Sequence, residues 1–284
     1  MNKVTKILSV MLPATAAVSC SDNDEPVIDV ASEVAATYQG YSVASSRYFE
    51  GQLAPSQTVT VAKTAAGEVA VTYASDDFGT FNITSAKVSS TSASGVYTVT
   101  GSGKCKMGMG GNVSEYDCTL EGTVDKANPE VTEFTFNIPA VMGGLKIKFV
   151  PGELPAAVAL PGDYDGYTDA SCAYFPSNPA DDQELTITAQ EGSDKFTVKY
   201  VSSTWGEFTI KDVTATANGN KFTLAGSGST LMGMGDTKTE YACTLEGTVD
   251  VADEANTLFT FKVPAVMGGL TIEFRLGTRP AEAE

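Results

Sequence analysis

From Tyr38 onward, apolar and polar residues alternate with a period of two, which is typical of β-strands that bury one face. The alternation forms eight runs in each half of the chain, separated by short turns such as Ala66-Gly67 and Asn218-Gly219-Asn220. Because sequential antiparallel strands hide their edges best by closing into a ring, the pattern predicts an all-β protein. We expect two tandem eight-stranded antiparallel up-and-down barrels, with a two-sheet sandwich as the alternative.

The two halves are copies of one domain. Residues 107–124 and 232–249 agree at thirteen of eighteen positions and start 125 residues apart, which is close to a common domain size. The positions predicted to face inward keep their parity in both copies even where the residue differs, as burial on one face requires. In the last two strands of each copy these positions are Phe134, Phe136, Ile138, Leu145, Ile147 and Phe149, and then Phe259, Phe261, Val263, Leu270, Ile272 and Phe274.

The repeat and the breaks in the pattern set the expected domain limits. The stretch between the two copies contains Pro151, Pro155 and Pro161, which cannot extend a sheet and indicate a stiff linker. The expected organisation is a signal peptide at 1–19, an acidic tether at 20–37, a first barrel at 38–150, a proline-rich linker at 151–162, a second barrel at 163–277 and a tail at 278–284.

The N-terminus has the features of an export signal. Lys3 and Lys6 precede an apolar run at 7–18 that is too short to span a bilayer. The run ends in Ala17-Val18-Ser19-Cys20, which resembles the lipobox of bacterial lipoproteins. The resemblance implies cleavage before Cys20 and acylation of this cysteine, which would anchor the chain stably in a membrane. An ordinary secreted protein with a chance cysteine at this position is the alternative.

The residues after Cys20 are polar and acidic and have no apolar pattern, as expected for a tether. The segment 21–26 resembles the acidic export tag of surface lipoproteins of Bacteroidales. This resemblance implies a lipid-anchored protein of the outer membrane exposed on the cell surface, with a periplasm-facing outer-membrane lipoprotein as the alternative.

The repeated unit also resembles a known domain family. Each copy opens with Tyr-x-Gly, at Tyr38 and Tyr164, and carries Glu-Tyr-x-Cys-Thr-Leu-Glu-Gly-Thr-Val at 115–124 and 240–249. Together with the leader, these features resemble the calycin-like, or lipocalin-like, β-barrel domains of Bacteroidales lipoproteins. The resemblance covers both copies and implies an eight-stranded barrel, but it implies little about activity. True lipocalins open with Gly-x-Trp, which is absent here.

Composition excludes several classes of function. The chain has no histidine, which removes the common Ser-His-Asp and Cys-His catalytic arrangements and the usual zinc sites. No other nucleophile–base pair is recognisable, so we expect a protein that is not an enzyme and has no cofactor or metal. The formal charge of −17 disfavours nucleic acid and anionic lipid as partners.

In an up-and-down barrel, alternate turns share one end. Both Met-Gly turns of each copy fall on that end, and the other two turns there add aromatic residues, so an apolar rim is expected around the opening of each barrel. The residues expected to form these rims and bind a ligand are Phe49, Phe78, Met107, Met109 and Met142 in the first barrel, and Phe175, Trp205, Met232, Met234 and Met267 in the second.

Three interpretations of the rims are open. The methionines can fill gaps and cap the barrel, because an eight-stranded barrel is just wide enough for its own side chains. They can surround a ligand opening, with the interior glycines Gly101, Gly103 and Gly122 leaving room inside, although such glycines also relieve bending. Soft sulfur ligands can also hold Cu(I) or haem, which the absence of histidine disfavours.

The cysteines predict two disulfides. If opposed residue numbers in the hairpin sum to 223, Cys105 faces Cys118 on the inward side, which favours a Cys105–Cys118 bond in an oxidising compartment. The second copy has Thr230 in place of Cys105, which leaves Cys243 to pair with Cys172. That second bond requires a flattened barrel or an infolded loop, since three strands separate the two cysteines.

These observations lead to one expected function and one alternative. The expected function is non-enzymatic binding of a small apolar or amphipathic ligand at the methionine-lined openings of a lipid-anchored surface protein. The alternative is a structural or interaction protein whose barrels are filled and whose surfaces contact glycans or proteins. A connected apolar cavity in each barrel would favour the first, and continuous packing would favour the second. Protein partners are not predictable from these residues.

Overall fold

The computed structural model describes residues 29–109, 112–233 and 237–281. It consists of two β-barrels with two short α-helices and two 3₁₀-helices, the latter at Pro129–Val131 and Glu254–Asn256. The first barrel follows α1 (Val30–Val34) and contains β1 (Ala36–Ser45), β2 (Gln52–Ala65), β3 (Glu68–Ser75), β4 (Gly79–Ser90), β5 (Val96–Met109), β6 (Asn112–Asp125), β7 (Glu133–Ile138) and β8 (Leu145–Pro151). The second follows α2 (Ala156–Ala159) and contains β9 (Gly162–Cys172), β10 (Phe175–Ala189), β11 (Phe196–Ser202), β12 (Gly206–Asn218), β13 (Lys221–Met232), β14 (Thr239–Asp250), β15 (Leu258–Val263) and β16 (Leu270–Leu276).

Each barrel is closed and antiparallel throughout. Every strand pairs with the next along the chain, and the ring closes where β1 pairs with β8 and β9 pairs with β16. The predicted fold is therefore confirmed, and the sandwich alternative is excluded. No helix in the described part of the chain is long and apolar enough to cross a membrane.

Aromatic side chains fill the interior of each barrel. In the first, Phe136 packs between Tyr73 and Phe81, with ring centroids 5.4 and 5.0 Å apart. In the second, Phe261 packs between Tyr200 and Phe208 at 5.5 and 5.1 Å. All six side chains are buried. Their matched positions show that the two copies share one core design, as the repeated inward parity predicted.

The buried tyrosines of these cores keep their hydroxyl groups satisfied. Tyr73 donates a hydrogen bond to Gln57 at 2.9 Å, and Tyr200 donates one to Gln183 at 2.7 Å. A buried hydroxyl without a partner would cost about 1–3 kcal/mol, so these glutamines stabilise the barrels from within.

A helical turn closes the same end of each barrel. Tyr38 donates its hydroxyl proton to the carbonyl of Val34 at 2.8 Å, and Tyr164 does the same to Leu160 at 2.7 Å. At the first barrel, Asp29 accepts hydrogen bonds from Lys63 and from the Gly67 amide, and the bond from Lys63 lowers the pKa of the Asp29 carboxyl. The chain thus enters each barrel at its helix-capped end.

The two barrels are in contact through the helix-capped end of the second. Tyr41 and Leu53, on the outer side of the first barrel, share an apolar cluster with Leu154 and Leu160 of the connecting segment. A hydrogen bond of 2.9 Å from the Asn220 amide to the Ser56 hydroxyl also joins the barrels. The connecting segment is thus packed on both sides, which the sequence pattern did not predict.

One predicted register is wrong. Cys105 pairs with Tyr116 and Cys118 pairs with Gly103, so opposed residue numbers in the β5–β6 hairpin sum to 221 rather than 223. Each residue of β5 therefore faces the β6 residue two positions before the expected one. Both cysteines remain inward because a shift of two residues preserves the face of each strand.

Candidate functional site at the methionine ends

Four turns of each barrel meet at the end opposite the helical cap, and we call this the methionine end. In the first barrel β1, β3, β5 and β7 run toward it, and in the second β9, β11, β13 and β15 do so. Its described connections are 46–51, 76–78 and 139–144 in barrel 1, and 173–174, 203–205 and 264–269 in barrel 2, and β5 and β13 end there at Met109 and Met232.

A serine-based turn positions one aromatic residue at each methionine end. The hydroxyl of Ser75 accepts a hydrogen bond from the Phe78 amide at 3.2 Å, and Ser202 accepts one from the Trp205 amide at 3.2 Å. Serine favours such turns because its hydroxyl reaches the backbone two or three residues on. Phe78 and Trp205 are both 4% exposed and pack on the barrel cores.

Four other predicted rim residues are half-buried. Phe49 and Met107 are half-buried against the core of barrel 1, and Phe175 and Met232 are half-buried against that of barrel 2. Phe175 also lies against Trp205, with ring centroids 6.1 Å apart. The side chain of Met109 and all of Met234 lie outside the described residues.

Met142 and Met267 differ from Met107 and Met232 in exposure and in backbone conformation. They are 48% and 47% exposed, with φ of 47° and 52°. This left-handed region suits glycine and asparagine, and an L-residue with a large side chain adopts it at a cost of about 1–2 kcal/mol. Each copy therefore keeps a methionine where neither packing nor backbone preference favours one.

A tyrosine is exposed at the same end of each barrel. Tyr48 is 74% exposed and Tyr174 is 81% exposed, in the connections between the first two strands of each copy. In barrel 2 that connection contacts the methionine turn directly, because the Ala173 amide donates a hydrogen bond to the Met267 carbonyl at 3.3 Å. Neither tyrosine is among the residues predicted to form the rims, and their identity in both copies was the available signal.

Barrel 2 has a cleft at its methionine end. Its volume is about 690 Å³. Its walls include Trp205, Met232, Tyr241, Val266 and Met267. The polar part of the wall includes a salt bridge of 2.7 Å between Lys238 and Glu207, and the hydrogen bond from this lysine lowers the pKa of the Glu207 carboxyl.

Two buried polar groups near this cleft have no hydrogen-bond partner. The indole nitrogen of Trp205 and the hydroxyl of Thr230 find none among the described residues. Thr230 pairs with Tyr241, a wall residue of the cleft, in the β13–β14 ladder. Barrel 1 has Phe78 and Cys105 at the two matched positions, so it places neither an indole nor a hydroxyl there.

The interior glycines do not leave room for a ligand. A Cβ on Gly101 would lie 2.8 Å from Ile83, one on Gly103 would lie 2.3 Å from the Asn82 carbonyl oxygen, and one on Gly122 would lie 2.8 Å from Phe134. The interpretation of these glycines as interior space is therefore wrong. They let neighbouring strands and side chains approach closely, as glycine does at barrel corners.

The family model for the calycin-like β-barrel domain matches residues 34–150 and again residues 160–275. The chain belongs to this family. Both matches extend over a complete barrel, so the calycin-like resemblance noted in the sequence is confirmed for both copies. No protein among those with curated functions matches the sequence.

Several solved structures are similar to this calycin-like protein. One is a crystal structure of a protein from Bacteroides fragilis, named provisionally as an outer membrane protein, with 26% identity and a TM-score of 0.58 over 87% of this chain and 99% of that one. A protein of unknown function from Nostoc punctiforme has 9% identity and a TM-score of 0.25, over 88% and 98% of the two chains. Transferrin binding protein B of Neisseria meningitidis has 10% identity and a TM-score of 0.28, over 85% and 57%. The last two likenesses are too distant to inform function.

The cysteines of the calycin-like barrels differ in their surroundings. Cys105 and Cys118 are both buried inside barrel 1, and burial raises the pKa of the Cys118 thiol to about 12. Burial raises that of Cys243 to about 11, and Cys172 is half-buried. All four thiols are free in this structure, so the bonds Cys105–Cys118 and Cys172–Cys243 stay predictions. Cys20 lies outside the described residues.

No group of three acidic or cysteine side chains in the ranges 29–109, 112–233 and 237–281 is arranged to hold a metal ion. The methionine ends present apolar and aromatic surface, and barrel 2 adds an indole donor without a partner among the described residues.

Proposed function

We propose that the protein binds a small apolar or amphipathic ligand at the methionine ends of its two barrels, without catalysing a reaction, while anchored to the outer membrane. The observation that carries this proposal is the pair Met142 and Met267. Each is half-exposed, identical in both copies and held in a backbone conformation that costs free energy. Strain that persists in both copies is expected at a functional position.

The filled interiors define where such a ligand binds. Phe136 and Phe261 pack between other aromatic rings along the barrels, so the ligand is contacted at the methionine end and not deep inside. Methionine suits this role because its flexible thioether adapts to different apolar shapes. The exposed Tyr48 and Tyr174 add aromatic surface beside the two methionines.

Filled barrels also favour a second candidate, an interaction protein that uses the same exposed residues on a glycan or a protein. The closely packed interior glycines support it. The two candidates differ in ligand size, because a macromolecule would contact both methionine ends or extend well beyond one.

The proposed location rests on the leader and on the fold. Cys20 is nine residues before Asp29, which lies at the helix-capped end of barrel 1. An extended chain of this length reaches about 30 Å, so acylation of Cys20 would hold that end near the membrane and direct the methionine end of barrel 1 away from it. The name of the similar Bacteroides fragilis protein supports the outer membrane as the location.

Native mass spectrometry of the acylated protein, released gently from its own membrane, tests the binding proposal. We expect a bound small molecule as added mass beyond the acyl chains. The double variant Met142→Asn with Met267→Asn removes both thioethers and suits the left-handed backbone, so it should fold normally and lose the added mass. The matched control is Val131→Asn, which changes a 50% exposed apolar residue at the helix-capped end of barrel 1 and should retain it.

A protein without added mass, or a double variant that retains it fully, would contradict binding at the methionine ends. Radiolabelled palmitate, which enters acyl chains, tests the anchor separately. Labelling should occur in the wild type and be lost in Cys20→Ala.

A further inference from the structure

The cleft at the methionine end of barrel 2 has a feature that packing does not explain. The Trp205 side chain is 4% exposed, lines the cleft, and has no acceptor for its indole N–H among the described residues. Leaving such a donor buried and unpaired lowers the stability of the folded protein. Phenylalanine at the matched position of barrel 1, Phe78, is equally buried without this cost.

We infer that the barrel 2 cleft binds an amphipathic molecule whose carbonyl or carboxylate oxygen accepts a hydrogen bond from the Trp205 indole. This inference rests on the proposed function and defines the ligand class for one barrel. The oxygen satisfies the unpaired donor, and the apolar part of the molecule lies against Met232, Val266 and Met267, which line the same cleft.

The charges around the cleft agree with an acceptor of this kind. Lys238 and Glu207 form a salt bridge in the wall, so neither charge is free to select a ligand of opposite sign. The choice of ligand therefore depends on the Trp205 indole, which donates a hydrogen bond and accepts none. A neutral carbonyl and a carboxylate both meet this requirement, whereas a cation does not.

Access to the indole N–H requires a side-chain movement. The nitrogen is buried in the structure, so the ligand has to displace a neighbouring group before it reaches the donor. The thioethers of Met232 and Met267 line the same cleft and are the most adaptable side chains there. Met267, which is exposed and has a strained backbone, is thus one of the side chains that move when the ligand reaches the indole.

Trp205 is the only tryptophan of the chain, which makes the test direct. The full chain labelled with ¹⁵N-tryptophan gives a single indole N–H resonance. Three probes share an eight-carbon chain: octanoate, 2-octanone and octyltrimethylammonium, of which only the first two carry an oxygen acceptor. We expect octanoate and 2-octanone to move the indole proton downfield in a saturable way and octyltrimethylammonium to leave it unmoved.

Three variants separate the effect of the indole donor from the effect of the cleft walls. Trp205→Phe keeps an aromatic ring as in barrel 1 and removes the N–H, so calorimetric affinity for octanoate and 2-octanone should fall about tenfold, which corresponds to one hydrogen bond. Met142→Asn alters only barrel 1 and should leave the Trp205 response unchanged, whereas Met267→Asn should weaken it.

Equal responses to all three probes, no response to any of them, or full affinity of Trp205→Phe would each overturn the inference. These outcomes leave the wider proposal standing if the natural protein still carries added mass that depends on Met142 and Met267. If the added mass does not depend on Met142 and Met267, but Trp205 still responds only to the probes with an oxygen acceptor, the two-barrel proposal is contradicted and the Trp205 site is supported.

Discussion

The methionine ends of the two barrels share an outer layer and differ in the layer beneath it. Tyr48 and Met142 of barrel 1 reappear as Tyr174 and Met267 in barrel 2, with matching exposure. Below them, Phe78 is replaced by Trp205, and Cys105 by Thr230. Both replacements put a buried polar group without a described partner into barrel 2 alone. The comparison teaches that the two copies share their exposed residues at this end, whereas barrel 2 has the more polar layer beneath them.

The largest effects should be equal in the two barrels, because their aromatic cores are equivalent. Phe136→Ala and Phe261→Ala each remove a fully buried ring and should lower the free energy of unfolding of the affected barrel by about 3–5 kcal/mol. Urea unfolding followed by circular dichroism measures this. A loss in one barrel twice that in the other would show that the cores are not equivalent despite their matched packing.

Alkaline pH should destabilise both barrels through their buried thiols. The pKa of Cys118 is raised from 9.0 to about 12 and that of Cys243 to about 11, so the folded state keeps protons that the unfolded state loses. Stability that is fully present below pH 9 is therefore lost as the pH rises toward these values.

Urea titrations at pH 8.5 and 10.5 with reductant present measure this dependence. In Cys118→Ala and in Cys243→Ala, the free energy of unfolding should fall less steeply with rising pH, by the equivalent of about one proton. An unchanged slope in either variant would mean that its thiol ionises equally well in the folded and unfolded states.

A substitution in the polar layer of barrel 2 should raise the free energy of unfolding instead of lowering it. Thr230→Val removes the buried, unpaired hydroxyl while keeping the shape, so the free energy of unfolding should rise by about 1 kcal/mol. Cys105→Val is the matched change in barrel 1 and should bring no such gain. Destabilisation by Thr230→Val would show that the hydroxyl has a partner in the folded protein.

The smallest effect should come from the exposed methionines. Met142→Asn and Met267→Asn place a residue that tolerates a positive φ in each turn, so each should stabilise its barrel by about 0.5–1 kcal/mol. Thermal unfolding of the single variants measures the gain. A clear loss of stability instead would show that the thioethers hold the turns together, and the argument from strain would fail.

The pattern along the chain determined most of the fold. Alternation of period two identified the inward faces, and residues such as Phe134, Ile147, Phe259 and Ile272 are all buried. This succeeds because a strand in a closed barrel has one face toward the core along its whole length. The pattern does not fix the register, since a shift of two residues keeps every side chain on its face. For this reason the predicted register, in which Cys105 lies directly opposite Cys118, is wrong, while the disulfide between them stays a prediction.

By itself, the sequence determined the duplication, the strand number, the convergence of the methionine turns and the absence of histidine chemistry. Only the tertiary structure decided that aromatic rings fill the barrels, that the interior glycines are packed, and that the two barrels share an apolar contact through Tyr41 and Leu160. It also revealed the left-handed backbone of Met142 and Met267 and the unpaired indole of Trp205. These depend on distances between residues far apart in the chain, or on backbone angles imposed by closure of the ring, and neither leaves a periodic signal in the sequence.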